Sequence, residues 1–364
     1  MRINIITKQE KVNLLDWLRE REHYIPAYCG GKGICGKCKV RFVSNPPEPT
    51  ENEKKFFSPE ELEEGWRLAC VTEVAGEGQI ELPMAGEEEI EVETGFRGLK
   101  EANPQIDSET TDQNHFVVAV DIGTTTLAAS LVDQKTKKVI KTVTSVNHQR
   151  MYGADVISRI EAANRGEGDG LQKLILKDLE YLLQNLEVPM ERTQLIISGN
   201  TTMEHLLQGY SCKTLGVAPY TPVDISLHEY KNMTILPGIS TYVGADIVSG
   251  IVACGMNRSE KVSILVDVGT NGEMAIGNKD RILVASTAAG PAFEGGNIKC
   301  GVAGVPGAIA SVNIENDKIN LKTIGDKEAI GICGSGVVEI TYELKKNKII
   351  DETGLMVDAY FDDG

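Results

Sequence analysis

The chain has 364 residues, 41% hydrophobic and 25% charged, an ordinary globular balance with room for two or three domains. A net charge of −16 argues against the clustered Lys and Arg that a nucleic-acid backbone or an anionic bilayer surface requires, so neither is an expected partner. No basic and then apolar leader opens the chain, and no apolar run approaches the ~18 residues that span a bilayer, so a cytoplasmic protein is expected. In that compartment thiols stay reduced, and eight cysteines point to metal binding before disulfides.

Residues 2–7 alternate as an opening strand, and residues 11–21 (KVNLLDWLRER) have the spacing of a short amphipathic helix. YCGGKGICGKC, residues 28–38, follows. It sets Cys29, Cys35 and Cys38 as Cys-x5-Cys-x2-Cys, with Cys70 alone and distant in RLAC. Four thiolates can hold a zinc ion or an iron–sulfur cluster. A zinc ribbon presents two separated CxxC pairs. Three ligands in one loop and a remote fourth fit a [2Fe–2S] cluster better, one residue longer than the plant-type Cys-x4-Cys-x2-Cys…Cys spacing. The loop resembles the x5 branch of that family, the adrenodoxin-like ferredoxins. Gly30, Gly31, Gly33 and Gly36 permit positive φ and let backbone N–H groups approach the sulfurs. CKVRFVS and GQIELPM read as the flanking strands of an α+β β-grasp ferredoxin domain, residues 1–93. Cys212, Cys254, Cys300 and Cys333 are dispersed and read as small buried residues. Residues 87–115 turn polar and acidic, which predicts a linker over 94–114.

Two later segments repeat one another: VVAVDIGTTTLAASLVD (117–133) and ILVDVGTNGEMAIGNKD (264–280). Each is an apolar strand, an Asp-Ile/Val-Gly-Thr turn and a second strand. Gly123 and Gly269 open the turn to close approach by an anion, and Thr124, Thr125, Thr126, Thr270 and Asn271, followed by Gly272, surround it with donors. Asp121 and Asp267 end the strands where a carboxylate can hold Mg²⁺ through waters. The pair resembles the phosphate-1 and phosphate-2 motifs of the actin, hexokinase and heat-shock-chaperone ATPases. That resemblance implies an α/β, ribonuclease-H-like ATPase of two lobes, the first over 115–259 and the second from 260. It implies that Asp121 and Asp267 face each other across the cleft as catalytic carboxylates, with ATP phosphates against Gly123, Thr124, Thr125, Gly269, Thr270, Asn271 and Gly272. No GxxxxGK[ST] is present, so this is no Walker protein.

Residues 147–166 become helical at Ala154, and residues 171–186 carry a 3.6-residue period. LIISGNTTMEHLL reads as strand, turn and helix, with Thr201 or Thr202 as the cap. Residues 243–256 form a small-residue helix suited to close packing, residues 287–310 border the cleft, and GICGSG opens a last helix. His148 and His205 show no partner in the sequence and read as structural.

Taken in order, CGGKGICGKC…RLAC, VDIGTTT, NHQRMYGADVISRI, SGNTTM, VDVGTNGE, AGPAFEGG and GICGSG make the whole chain resemble the reductive activators of corrinoid proteins. The resemblance implies ATP- and Mg²⁺-dependent transfer of one electron from a [2Fe–2S] cluster to inactive Co(II), regenerating Co(I). It implies as partners a corrinoid protein (a corrinoid iron–sulfur protein or a methyltransferase corrinoid subunit), an upstream low-potential electron donor and a second copy in a homodimer. Family members continue well past YFDDG, so the second lobe, 260–364, is expected to be truncated. Three rivals remain: a small-molecule kinase of the same superfamily, a redox-sensing scaffold that binds nucleotide without turnover, and an activator of another low-potential acceptor.

Overall fold

A computed structural model describes residues 1–7, 11–21, 23, 25–82, 116–188, 193–269, 271–288, 298, 300–302, 304–315 and 318–361. The expected linker, 94–114, lies outside the described residues, as do 289–297, 299 and 303 within 287–310.

The N-terminal unit runs β1 (Arg2–Ile6), β2 (Val12–Asn13), α1 (Leu14–Glu20), β3 (Lys39–Ser44), α2 (Pro59–Glu63), β4 (Trp66–Leu68), β5 (Glu73–Val74) and β6 (Glu77–Glu81). Its main sheet has the order β1-β6-β3-β4, antiparallel throughout. Leu14, Leu15, Trp17 and Leu18 of α1 are buried in one core with Ile3, Ile5, Val40, Leu68 and Ile80. The helix is shorter than the apolar spacing predicts. The Asn13 side chain accepts from the N–H groups of Leu15 and Asp16, and its backbone pairs with β5, so the chain is still extended there. Glu53 is fully buried. Its carboxylate accepts from Thr50 N (2.7 Å), Thr50 Oγ1 (2.8 Å), Leu68 N (2.8 Å) and Thr72 Oγ1 (3.2 Å), which ties residues 50–55 to both sides of Cys70.

The second unit contains β7 (Phe116–Ile122), β8 (Thr126–Asp133), β9 (Lys138–Val146), α3 (Val156–Ala162), α4 (Gly168–Asn185), β10 (Gln194–Gly199), α5 (Thr201–Gln208), β11 (His228–Glu229), β12 (Met233–Ile235) and α6 (Ala245–Ala253). The sheet order is β11-β12-β10-β7-β8-β9; β7, β8 and β9 form an antiparallel meander, and β10 and β12 run parallel to β7 and β10 respectively. Leu171, Ile175, Leu179 and Leu182 keep one face of α4 in the core, as the 3.6-residue period requires. α3 begins two residues after Ala154, because Asp155 accepts from Ser158 N at 2.8 Å in a capping box. The cap of α5 is Asn200, not Thr201 or Thr202: its side chain accepts from Met203 N at 3.0 Å, while Thr201 Oγ1 donates to Ser240 O at 2.8 Å. Gly244, before α6, lies where a Cβ would stand 2.4 Å from Gly199 O and 2.6 Å from Thr201 N, so only glycine lets the two turns pack.

The third unit contains β13 (Ser263–Val268), β14 (Asn271–Gly277), β15 (Ile282–Ala288), β16 (Ala308–Glu315), β17 (Lys318–Thr323), β18 (Gly331–Ile332), α7 (Gly334–Lys346) and α8 (Asp358–Phe361). The antiparallel meander β13-β14-β15 repeats β7-β8-β9, and a second sheet has the order β17-β16-β18. The two units together have the actin-like architecture that the repeated turns imply, and Ile264, Val266 and Val268 of β13 are exposed. Among the described residues no helix is long and apolar enough to cross a membrane.

Replacing Glu53 by Ala leaves the Thr50 and Leu68 amides buried without an acceptor. The variant is expected to lose about 3 kcal/mol of stability in urea unfolding, with Glu53→Gln losing less because it keeps an acceptor oxygen.

Candidate functional site

Two sites emerge. In the ferredoxin loop, Gly30, Gly31, Gly33 and Gly36 all adopt positive φ, at +65°, +87°, +72° and +66°. A side chain at Gly36 would meet the Phe56 ring at 2.5 Å, so the turn needs glycine for space as well as for torsion. The turns aim backbone N–H groups at sulfur: those of Lys32, Ile34 and Cys35 at Cys29, that of Lys37 at Cys35, that of Gly33 at Cys70 and that of Cys70 at Cys38. The four thiols fall into two neighbouring pairs, Cys29 with Cys35 and Cys38 with Cys70. The neighbouring thiol of Cys35 lowers the pKa of Cys29, and that of Cys70 lowers Cys38. Cys35 and Cys70 are pushed up, because losing the proton would set two thiolates side by side.

Among the described residues no three His, Cys, Asp or Glu side chains converge as a single metal ion would require. Tetrahedral zinc needs four ligands around one point, whereas a [2Fe–2S] cluster offers two irons to four cysteines. The paired thiols and inward N–H groups fit the latter. Cys38 and Cys70 are buried, Cys29 and Cys35 half-buried. Cys212 and Cys333 are buried as expected. Cys254 and Cys300 are exposed, contrary to expectation: Cys254 follows the last turn of α6 and Cys300 sits in a turn.

The second site is a cavity of about 240 Å³ lined by both repeated turns. It receives Asp121, Gly123, Thr124, Thr125 and Thr126 from the first, and Asp267, Gly269 and Asn271 from the second. Gly272 is not among its lining residues, and Thr270 lies outside the described residues. The amides of Gly123 and Gly269 close their own hairpins, onto Thr126 O at 3.0 Å and Asn271 O at 2.9 Å, so the donors offered to the cavity are the hydroxyls and the Asn271 amide. The first turn is braced from behind. Asn147 holds Gly123 O through Nδ2 (2.8 Å) and Thr125 O through its backbone N–H (2.8 Å), and Arg159 Nη2 holds Thr124 O (2.5 Å).

Three lining residues escape the sequence reading. Asn200 donates to Thr124 Oγ1 at 3.0 Å, Asp246 sits in the first turn of α6, and Glu273 lies on β14. The signal for Asp246 is an acid in the first turn of a helix otherwise built of small and apolar residues. Asp121 opens to the cavity yet is crowded by protein, and this desolvation, then Asp246 and Asp267, pushes its pKa up to about 7. Burial raises Glu273 to about 7 and Asp246 to about 6, the latter partly offset by the Ile247 amide. Asp267 is raised by desolvation alone. Behind them Glu204 is buried, its Oε1 has no hydrogen-bond partner among the described residues, and burial followed by Asp246 raises it to about 9. Four carboxylates beside hydroxyl donors are a set that a divalent cation and a polyphosphate complete.

The two histidines do have partners. His148 Nδ1 pairs with Asp178 at 2.5 Å, and His205 lies between Thr201 O and the Val223 amide.

Comparison with known proteins divides the chain into three matched regions. Residues 3–75 match the 2Fe-2S iron–sulfur cluster binding domain, 116–259 the RACo middle region, and 261–362 the C-terminal domain of RACo, the ASKHA domain. Corrinoid activation enzyme RamQ of Eubacterium limosum is 34% identical over 259 residues, 65% of this chain and 43% of that protein. The [Co(II) methylated amine-specific corrinoid protein] reductase of Methanosarcina barkeri is 26% identical over 279 residues, 65% of this chain and 52% of that one. A solved reductive activator for corrinoid, iron-sulfur protein superposes with a TM-score of 0.60 at 26% identity, covering 99% of this chain and 73% of that chain. This is a 2Fe-2S cluster binding domain joined to an actin-like ASKHA domain. The chain belongs to the family of reductive activators of corrinoid proteins. It spans about half the length of the curated relatives it matches.

Because Asp121 and Glu273 titrate near 7 and Asp246 near 6, a cation entering the cavity displaces protons below those values. Mg²⁺ affinity, followed by calorimetry, is expected to rise as pH is raised from about 5.5 to 7.5, up to tenfold per unit for each proton displaced, and then to level off.

Proposed function

We propose that this protein reactivates a corrinoid protein in the cytoplasm, using ATP to drive one electron from a [2Fe–2S] cluster onto inactive Co(II) and so regenerate Co(I). The observation that carries the reading is the presence, in one chain, of a paired-thiol loop and a carboxylate-lined cavity formed by two repeated phosphate turns. Relatives named for corrinoid activation and corrinoid reduction support it. Cys29, Cys35, Cys38 and Cys70 hold the cluster. Asp121 and Asp267 would hold Mg²⁺, and Thr124, Thr125 and Asn271 would donate to phosphates seated against the Gly123 and Gly269 turns. Asp246, with a pKa of about 6, accepts the proton of the attacking water. When bound, the cluster supplies a single electron and Mg²⁺ neutralises phosphate charge.

Coupling to ATP answers a thermodynamic need. Plant-type clusters sit near roughly −400 mV, and a Co(II)/Co(I) couple below that makes transfer uphill by about 1.4 kcal/mol for each ~59 mV. A nucleotide-driven change in the complex offsets a gap of that size by favouring a state in which Co(II) is easier to reduce. The remaining partners are an upstream low-potential donor and a second copy of the chain.

The test is anaerobic. Protein, Co(II) corrinoid protein, Mg²⁺-ATP and reductant are mixed, and Co(I) is followed by its visible spectrum. Asp121→Asn should abolish ATP turnover and Co(I) formation while leaving the reduced [2Fe–2S] EPR signal intact. Uphill Co(II) reduction surviving that substitution would sink the coupling. Cys38→Ser should remove the EPR signal and Co(I) together.

A further inference from the structure

The segment that braces the phosphate turn also carries the ferredoxin loop. Arg159 is fully buried in α3. Its Nη2 donates to Thr124 O at 2.5 Å, and its Nε donates to Gly153 O at 3.0 Å. The next residue, Ala154, donates its N–H to Tyr28 O at 3.0 Å, immediately before Cys29. Gly30, immediately after Cys29, offers its carbonyl to Arg165 Nη2 at 3.3 Å and lies so close that a Cβ would stand 3.0 Å from Tyr152 O. Lys32, whose amide points at the Cys29 sulfur, pairs with Glu161 at 2.5 Å. Arg19 adds Met151 O at 2.6 Å, Glu167 at 3.2 Å and the Tyr152 ring at 4.4 Å. Residues 151–167 therefore grip the cluster loop on one side, and Arg159 reaches from them to the phosphate turn on the other.

This arrangement transmits displacement poorly as flexing and well as a switch. A guanidinium is a rigid planar fork, so a shift of Thr124 O either breaks one arm or moves Gly153. Gly153 has little freedom to absorb the shift, since a Cβ there would meet Ser158 Oγ at 2.1 Å. Packed interiors respond to such shifts by repacking between discrete arrangements.

We propose that Arg159 is a positioning residue that couples phosphate occupancy of the Thr124 turn to the docking of the cluster-binding loop on the first lobe. The proposal rests on the reading of that turn as phosphate-binding. Linkage makes the coupling reciprocal: whatever weakens docking changes nucleotide affinity by the factor with which nucleotide changes docking.

The experiment uses the full chain with its cluster loaded and needs no corrinoid. Binding of the non-hydrolysable analogue AMP-PNP with Mg²⁺ is measured by calorimetry, and hydrogen exchange is followed over residues 28–36. In the wild type, AMP-PNP is expected to change exchange there by about fivefold or more. Lys32→Glu, at a half-exposed position outside the cavity, sets two carboxylates together at the docking face and should change AMP-PNP affinity by a similar factor. The exchanged pair Lys32→Glu/Glu161→Lys should restore it. Arg159→Lys should bind AMP-PNP and lose the exchange response at 28–36. An AMP-PNP affinity unmoved by Lys32→Glu, or a full exchange response in Arg159→Lys, overturns the coupling. A wild type whose titration shows no AMP-PNP binding overturns the phosphate reading with it. Should Arg159→Lys fail to fold, the Lys32 and Glu161 exchange decides alone.

Discussion

Asp121, Asp246, Asp267 and Glu273 come from four different elements, β7, α6, β13 and β14, and meet in one cavity. Burial first, and then repulsion between neighbouring carboxylates, holds the pKa values of Asp121, Asp246 and Glu273 near neutrality. The surrounding fold holds them together regardless. Asn147 and Arg159 fix three successive carbonyls of the first turn, Asn200 fixes its threonine, and Gly244 lets α6 bring Asp246 against the β10 turn without a side chain between them. In the proposed reading a cation would relieve this crowding, so binding free energy and structural order would be drawn from the same residues.

The ferredoxin loop solves the converse problem. Its sulfurs must carry negative charge while buried or half-buried, and the backbone supplies the compensation: amides of Lys32, Ile34, Cys35, Lys37, Gly33 and Cys70 face sulfur. Hydrogen bonds of this kind stabilise the more negative, reduced state of a cluster and raise its potential. The number of such donors is therefore a lever on how much help an uphill transfer needs.

Much of this was legible in the sequence because it is written locally. Cys-x5-Cys-x2-Cys and its glycines are consecutive, and all four glycines take the positive φ that the spacing suggests. The two Asp-x-Gly-Thr turns are strand-turn-strand units that repeat. What escaped is written across the chain or in a choice between equals. Asp246 is one acid in a helix of small residues, and nothing local says that a distant turn faces it. Asn200 and Thr201 are both good caps, and the contest was settled by Ser240, which takes the threonine hydroxyl. The Arg19, Lys32 and Arg165 contacts join residues more than 120 positions apart, out of reach of any periodicity.

β13 pairs with β14 along one edge, and among the described residues its other edge has no strand partner, while Ile264, Val266 and Val268 stand exposed. An apolar strand with an open row of amides and carbonyls is a template for another strand. The charge of −16 is spread over the whole molecule and does little at that edge over the ~10 Å that charge reaches in ordinary buffer. The strand Ser263–Val268 is thus an edge along which another strand would find both backbone partners and apolar side chains.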